Sequence, residues 1–487
     1  MNPPTVGIER SAATTYSSEW ASADEFPEKR LLRELSSRLE PGSDNLFRGQ
    51  VQPGNRVVVK PNWVLHFHPY GLDPFSVITH SSVLRAVVDL IYEALGGDGE
   101  IVIADAPQFN CDFAKLLAVT QVEQIAHHYR SRHGFEVAIR DLRQIACLAP
   151  DLTFIRAEDR VELPGDPDGY AVVDLGEQSA FRDMPSPERI YGADYDRRET
   201  VRHHNAERHE YLVAKTILDS DVVVHVPKLK VHKKVGVTIN AKGMVGINGN
   251  KNWLAHYRVG SPTSGGDEFP ASEPFGGHAR AHVMRWAIDH LLVPQSRSGE
   301  YAFRAARGAF SLLRPAGMAV ARRFPRLGPG DLMLHGGNWY GNDTAWRMTV
   351  DLARTVLYSD GEGRLQEQPQ RRFVSVVDGI VAGEREGPLS PTPKPCGVLL
   401  GGTGLLAVDV VAARLMGFDP RKLRYQHWLM RESPQGMGVR EPAEVEVRSN
   451  VPEWERLMTD PDVPDLDFEP HPGWAGHIEI RPAAAAA

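Results

Sequence analysis

Cysteine is scarce: three in 487 residues, Cys111, Cys147 and Cys396, far apart and without CxxC spacing. Such a set cannot frame a disulfide scaffold, a zinc ribbon or a four-cysteine cluster, and it fits a reducing compartment. Long apolar runs are missing too. No window approaches the ~18 uninterrupted apolar residues of a membrane-spanning helix. The opening stretch MNPPTVGIERSAATTYSSEW has no basic segment leading into an apolar one. No secretory signal is therefore expected, and the expected location is the cytoplasm. Nor is there an excess of positive charge: 55 Lys+Arg against 63 Asp+Glu leave −8, which argues against a dedicated nucleic-acid binder. What remains is an ordinary globular mix, 42% apolar and 24% charged.

Strand and helix signals alternate. Val57-Val58-Val59 is a short β-branched run that ends at Lys60-Pro61-Asn62. Ser81 and Ser82 are placed to cap a helix whose apolar positions, Leu84, Val87, Val88, Ile91 and Leu95, recur at helical spacing before Gly96-Gly97 stops it. Ile101-Val102-Ile103-Ala104 then ends at Asp105. Strand, helix, strand at this spacing is a βαβ crossover and predicts a parallel sheet. Further helices are expected over 28–38, 207–218 and 406–416, and further strands over 222–226, 373–377 and 397–400.

The expected architecture is thus α/β, a mostly parallel sheet with flanking helices (Rossmann-like), with a β-rich insertion and a helical Arg-rich insertion. Its units are an N-terminal extension (1–54), a first α/β segment (55–134), the β-rich insertion (135–205) and a second α/β segment with a lysine-rich motif (206–260). A loop and helical insertion (261–345), a third α/β segment (346–425) and a C-terminal tail (426–487) follow. Between 297 and 326 seven arginines face one acid, Glu300, interleaved with Phe303, Phe310, Leu312 and Leu313. A basic amphipathic helix of this kind can lie on an anionic lipid surface, so peripheral membrane contact is one reading. A helix packed on its own acidic domain is the other.

Ligands in open parallel sheets bind beyond the carboxyl ends of the strands. Here those ends carry Lys60 and Asn62, then Asp105, then Lys228, Lys230 and His232, then Asp378. The run PKLKVHKK places four lysines and a histidine within eight residues. If extended, Lys228, Lys230 and His232 share one face, a row suited to phosphate or carboxylate. The glycine-rich GVTINAKGMVGINGN just after it can bring backbone N–H groups to the same anion, though it matches neither Walker A nor GxGxxG. Lys228, directly after the buried run, is expected to matter most, and Lys234, further along, least. His66 with His68, and His203 with His204 and His209, invite a metal reading without diagnostic spacing. Cys111 is the one cysteine near a strand end.

Six blocks resemble the domain of unknown function 362 family: VVVKPNWV, ITHSSVLRAVVDLI, IVIADAP, DSDVVVHVPKLKVHKKVGVTINAKGMVGI, VVDGIVAGEREGPL and GTGLLAVDVVAARLMGFDP. They cover 56–107 and 219–420 with long insertions between. The resemblance implies an α/β fold and a shared pocket including Lys60, Asn62, Thr79, Asp105, Lys228, Lys230, His232, Asp378 and Asp409. It implies no settled reaction. Some relatives carry a ferredoxin-like iron–sulfur segment, and with no cysteine cluster this chain is expected to lack that cofactor.

These readings point to an enzyme acting by acid–base chemistry on an anionic small molecule, in natural-product or polysaccharide biosynthesis, by isomerisation, elimination or cyclisation. His232 or His80 would move the proton, with Asp105 and Lys228 completing the catalytic set. Lys60, Asn62, Thr79, Lys230, Asn240, Lys242, Asp378 and Asp409 would bind substrate. No cofactor is required in this reading. The alternatives are a divalent-metal hydrolase or transferase, and a membrane-surface scaffold.

Overall fold

The computed structural model describes residues 3–148, 159–193, 196–272 and 336–480, with 286 and 305 besides. The Arg-rich segment 297–326, and with it the membrane-contact reading, lies outside the described residues apart from that single position. Among the described residues no helix is long and apolar enough to cross a membrane.

The large sheet is built from β1 (Thr5–Arg10), β2 (Arg56–Pro61), β3 (Glu100–Asp105), β4 (Val137–Asp141) and β10 (Val222–Val226). It is completed by β11 (Lys228–His232), β12 (Gly236–Thr238), β14 (Arg372–Glu384), β15 (Thr392–Gly402) and β16 (Glu446–Ser449). Three small antiparallel pairs stand outside it: β5 (Ile145–Cys147) with β6 (Arg160–Glu162), β7 (Tyr170–Asp174) with β9 (Glu210–Ala214), and β8 (Ile190–Gly192) with β13 (Ala255–Arg258). In the large sheet the order is β16-β1-β15-β14-β10-β2-β3-β4. From β14 to β4 all pairs are parallel, with Val222 opposite Val57 and Val57 opposite Ile101. β15 runs antiparallel to both β14 and β1. The sheet is therefore mixed, mostly parallel, and flanked by helices.

Period-two alternation sends each strand's side chains to opposite faces. Val57, Val59, Ile101, Ile103, Val222 and Val224 enter one core, under the helices Pro27–Leu39 and Ser81–Leu95. Val58, Val102, Val223 and Val377 enter the other, under Ala345–Tyr358, Leu405–Leu415 and Arg424–Arg431. These strands are buried on both faces, which is why they read as continuous apolar runs.

Four local expectations change. The cap of Ser81–Leu95 is His80, whose Nδ1 accepts the Ser82 backbone N–H at 3.0 Å. Residues 210–214 form a strand, β9, because five apolar-rich residues find β7 as a partner; only Lys215–Leu218 is helical. β4 opens the stretch assigned to the β-rich insertion, yet it is the edge strand of the large sheet. Finally, β14 does not stop at Asp378 but continues to Glu384. Pro227 offers no N–H to the ladder. The chain shifts there and resumes as β11 along the distal half of β14, Lys228 opposite Asp378 and Lys230 opposite Gly383. The first and last strands of the described residues, β1 and β16, pair in parallel at the sheet's other edge.

Candidate active site

The carboxyl ends of β2 and β3 lie side by side, and β2 continues into Asn62 and Trp63, β3 into Ala106. Across from them stand the β11–β12 hairpin, the short helix Asn240–Gly243 and the turn after it, then Lys251 and β13. The Ala106 N–H donates to the Gly246 carbonyl at 2.8 Å and knits the two sides together. Between them is a cavity of about 120 Å³ whose wall includes Asn62, Asp105, His232, Lys234, Lys242 and Lys251. Trp63, Gln108, Thr238 and His256 also line it.

Asp105 is the only carboxylate among the described lining residues, and it is already engaged. Its Oδ1 lies 2.9 Å from Lys60 Nζ, both side chains being buried. Its Oδ2 accepts the Trp63 N–H at 2.7 Å. Burial pushes Asp105 above the usual carboxylate range even with the Lys60 ammonium beside it. Gly246 makes this pair possible: a Cβ there would collide with Asp105 Oδ1 and sit 2.6 Å from Lys60 Nζ.

The lysines have no such counter-charge; among the described residues Lys234, Lys242 and Lys251 make no ion pair with a carboxylate. Lys251 Nζ donates to the carbonyls of Ala106 at 2.8 Å and Val245 at 3.2 Å. Lys234 Nζ donates to the Gly336 carbonyl and lies 5.2 Å from the Tyr257 ring centre. Each of the three is lowered to about 7, chiefly by burial, with the neighbouring Lys60 ammonium contributing to the shift of Lys242. Three buried polar atoms of the lining lack partners: Asn62 Oδ1, Trp63 Nε1 and Thr238 Oγ1. Burying such atoms unpaired is costly.

Of the residues singled out from sequence, Asn62, Asp105, His232 and Lys242 meet at this cavity, and Lys60 stands behind Asp105. Thr79 ties the frame, accepting from the Asn62 N–H at 2.9 Å and donating to the Val226 carbonyl at 2.7 Å. Lys228, Asp378 and His80 form a separate buried cluster: Lys228 Nζ lies 2.9 Å from Asp378 Oδ2, which also accepts the His80 N–H at 3.0 Å. Tyr16 seals it, donating to Asp378 Oδ1 at 2.8 Å, accepting from Lys228 and stacking on His80 at 3.9 Å. Burial and then Lys228 lower His80 to about 3. Lys230 is spent on the carbonyls of Val77 and Pro388. Asn240 and Asp409 form a support below the cavity: Asp409 accepts the N–H groups of Asn240 and Ala241 at 2.7 and 3.0 Å, holding the start of the short helix that carries Lys242. Within PKLKVHKK, Lys234 lines the cavity and Lys228 does not.

Of the histidines weighed as metal ligands, His66, His68, His203 and His204 have other partners. His68 Nε2–H donates to the Pro391 carbonyl while its Nδ1 accepts the Tyr70 N–H. His203 Nδ1 meets Glu210 at 2.8 Å, and His204 Nε2 the Trp253 carbonyl at 2.6 Å. Among the described residues no three His, Cys, Asp or Glu side chains are grouped to hold a metal. Cys111 is buried, and burial pushes its thiol up to about 12.

Sequence reading missed Trp63, Gln108, Thr238, Lys251 and His256. Trp63 and Gln108 lie within three residues of strand-end motifs and were within reach. Lys251 and His256 had no signal of their own, since only the β8–β13 pairing brings that segment over the sheet.

A family model described as domain of unknown function (DUF362) matches residues 57–150 and 165–414. No curated protein matches the chain. Among solved structures the chain is similar to the crystal structure of a Thermotoga maritima protein, a structural-genomics target, at 12% identity and a TM-score of 0.31. That match covers 81% of this chain and 59% of the other.

Proposed function

Because the chain belongs to the domain of unknown function 362 family, whose name carries no reaction, we propose a function from the cavity itself: it binds a small molecule by a phosphate or carboxylate group and moves a proton on it. The observation that carries this reading is the charge imbalance of the wall. Lys234, Lys242 and Lys251 face a space whose single described carboxylate, Asp105, is already matched by Lys60. Buried ammonium groups without counter-charges are costly to the empty protein, and an entering anion removes that cost. The unpartnered Asn62 Oδ1, Trp63 Nε1 and Thr238 Oγ1 suit hydroxyl or carbonyl groups on the same guest. A neutral imidazole beside the anion supplies the acid–base group, and two line the cavity, His232 and His256. Isomerisation or elimination is the class of reaction this set of groups serves.

Calorimetric titration of the full chain with inorganic phosphate, pyrophosphate and sulfate tests the binding half. Saturable binding that weakens about 10- to 150-fold in Lys242→Met is expected, the range for a lost charge-assisted hydrogen bond. If none of the three anions binds, the reading fails.

A further inference from the structure

Two imidazoles line the cavity, and the backbone sets their ring protons in opposite senses. His232 Nδ1 accepts the Lys234 backbone N–H at 3.0 Å, so its proton resides on Nε2. His256 Nδ1 lies 2.9 Å from the Leu254 carbonyl, which can only accept, so its proton resides on Nδ1 and Nε2 keeps the lone pair. Among the described residues, neither Nε2 has a hydrogen-bond partner. Burial, reinforced by Lys242 and Lys234, holds both rings well below the ordinary imidazole value and keeps them neutral. His232 can therefore give a hydrogen bond through Nε2 but cannot take a proton there, while His256 can.

We infer that His256 is the base of this cavity and His232 its neutral hydrogen-bond donor. This rests on the reading that the cavity binds an anionic small molecule, and it names the kind of guest: an anion with an acidic C–H or O–H next to a carbonyl or comparable oxygen. In the step, the guest's X–H bond breaks and its electron pair stays on the guest. The proton goes to His256 Nε2, giving an imidazolium. The negative charge developing on the guest's oxygen meets the His232 Nε2–H. The imidazolium then returns its proton to another atom of the guest (isomerisation) or to a departing group (elimination), and His256 is neutral again. No oxidant or reductant takes part. A bound anion raises the proton affinity of His256 at the moment it is needed.

Diethyl pyrocarbonate tests the assignment, because it acylates the lone-pair nitrogen of a neutral imidazole. The full chain is treated at neutral pH, with and without inorganic phosphate, and carbethoxylation is read at each histidine by peptide mass spectrometry. His256 should react about five-fold faster than His232, whose only lone pair must first give up the Lys234 N–H, a contact worth about 1 kcal/mol. Phosphate should slow His256. Equal rates, a faster His232 or an inert His256 would overturn the inference. If His256 reacts first but phosphate protects nothing, the assignment of the base stands and the anion-binding reading falls. If phosphate protects the cavity but His232 reacts first, the reverse holds.

Discussion

Lys228 and Lys242 are both buried, yet they ask opposite things of the protein. Lys228 is matched by Asp378 at 2.9 Å, so its removal leaves a carboxylate without its cation in the interior. Lys228→Met should cost about 3–5 kcal/mol of stability, the usual result of breaking a buried pair, and leave sulfate affinity unchanged. Lys242 has no carboxylate partner among the described residues, and burial lowers it to about 7. Lys242→Met should therefore leave the empty protein as stable as before, or more stable, and weaken sulfate binding about 10- to 150-fold. Urea unfolding and calorimetry on the two variants separate these outcomes; a loss of affinity in Lys228→Met would put that lysine back in the site. Asp105→Asn provides the third comparison. It leaves the buried Lys60 without its carboxylate, and about 3–5 kcal/mol should again be lost.

At the scale of elements, the β2–β3 edge was legible from Val57–Val59 and Ile101–Ala104, because strands buried on both faces show themselves as apolar runs that stop at polar residues. The helix ending at Gly96 was equally plain, its C-terminus taking φ 63° there. What pattern could not show was the pairing of β11 with the far half of β14. Leu229 and Val231 alternate as any short strand would, and only β14's thirteen-residue length provides the partner. That pairing buries Lys228 and Lys230 and leaves the wall of the cavity to residues of the following hairpin. For the same reason half of the candidate site was found by its position after strands, Asn62 and Asp105 above all. His256 was not, because it arrives through a small separate sheet. The glycine-rich turn has a more specific task than presenting N–H groups to an anion: Gly246 lets that turn pass over the Lys60–Asp105 pair. Gly246→Ala must push Asp105 aside, at a cost of about 1–3 kcal/mol for forced overpacking. Gly249→Ala offers a comparison within the same stretch, since its Cβ would meet the ring of Tyr170 instead. Both variants should lose stability, but only Gly246→Ala should also lose anion affinity; equal affinity in the two would mean that the pair does not shape the cavity.

For the whole molecule, three of the four cavity lysines, Lys234, Lys242 and Lys251, make stability and binding depend on pH in opposite directions. Each holds its proton to about 10.5 in the unfolded chain but only to about 7 in the empty native protein. Below pH 7 all three are charged in both states, and the native state bears their full burial penalty. Between pH 7 and 9 the unfolded chain binds up to three protons that the native protein has released, so these groups make stability rise with pH. Above about 9 the thiols act the other way. Burial raises Cys111 to about 12 and Cys396 to about 11, so the unfolded chain ionises first. A sulfate ion, doubly charged across the whole range, needs the lysines protonated. Its affinity should be greatest near pH 6 and fall as pH climbs through 7 toward 9, with protons taken up from the buffer as it binds. The measurement is the sulfate-induced rise in Tm at pH 6, 7.5 and 9, against chloride at equal ionic strength so that general screening is subtracted. In Lys242→Met the ligand-free protein should gain less stability between pH 7 and 9, having one group fewer to discharge. A sulfate effect that is flat with pH, or one that chloride reproduces, would mean that the lysines act as a diffuse positive surface and not as a closed site.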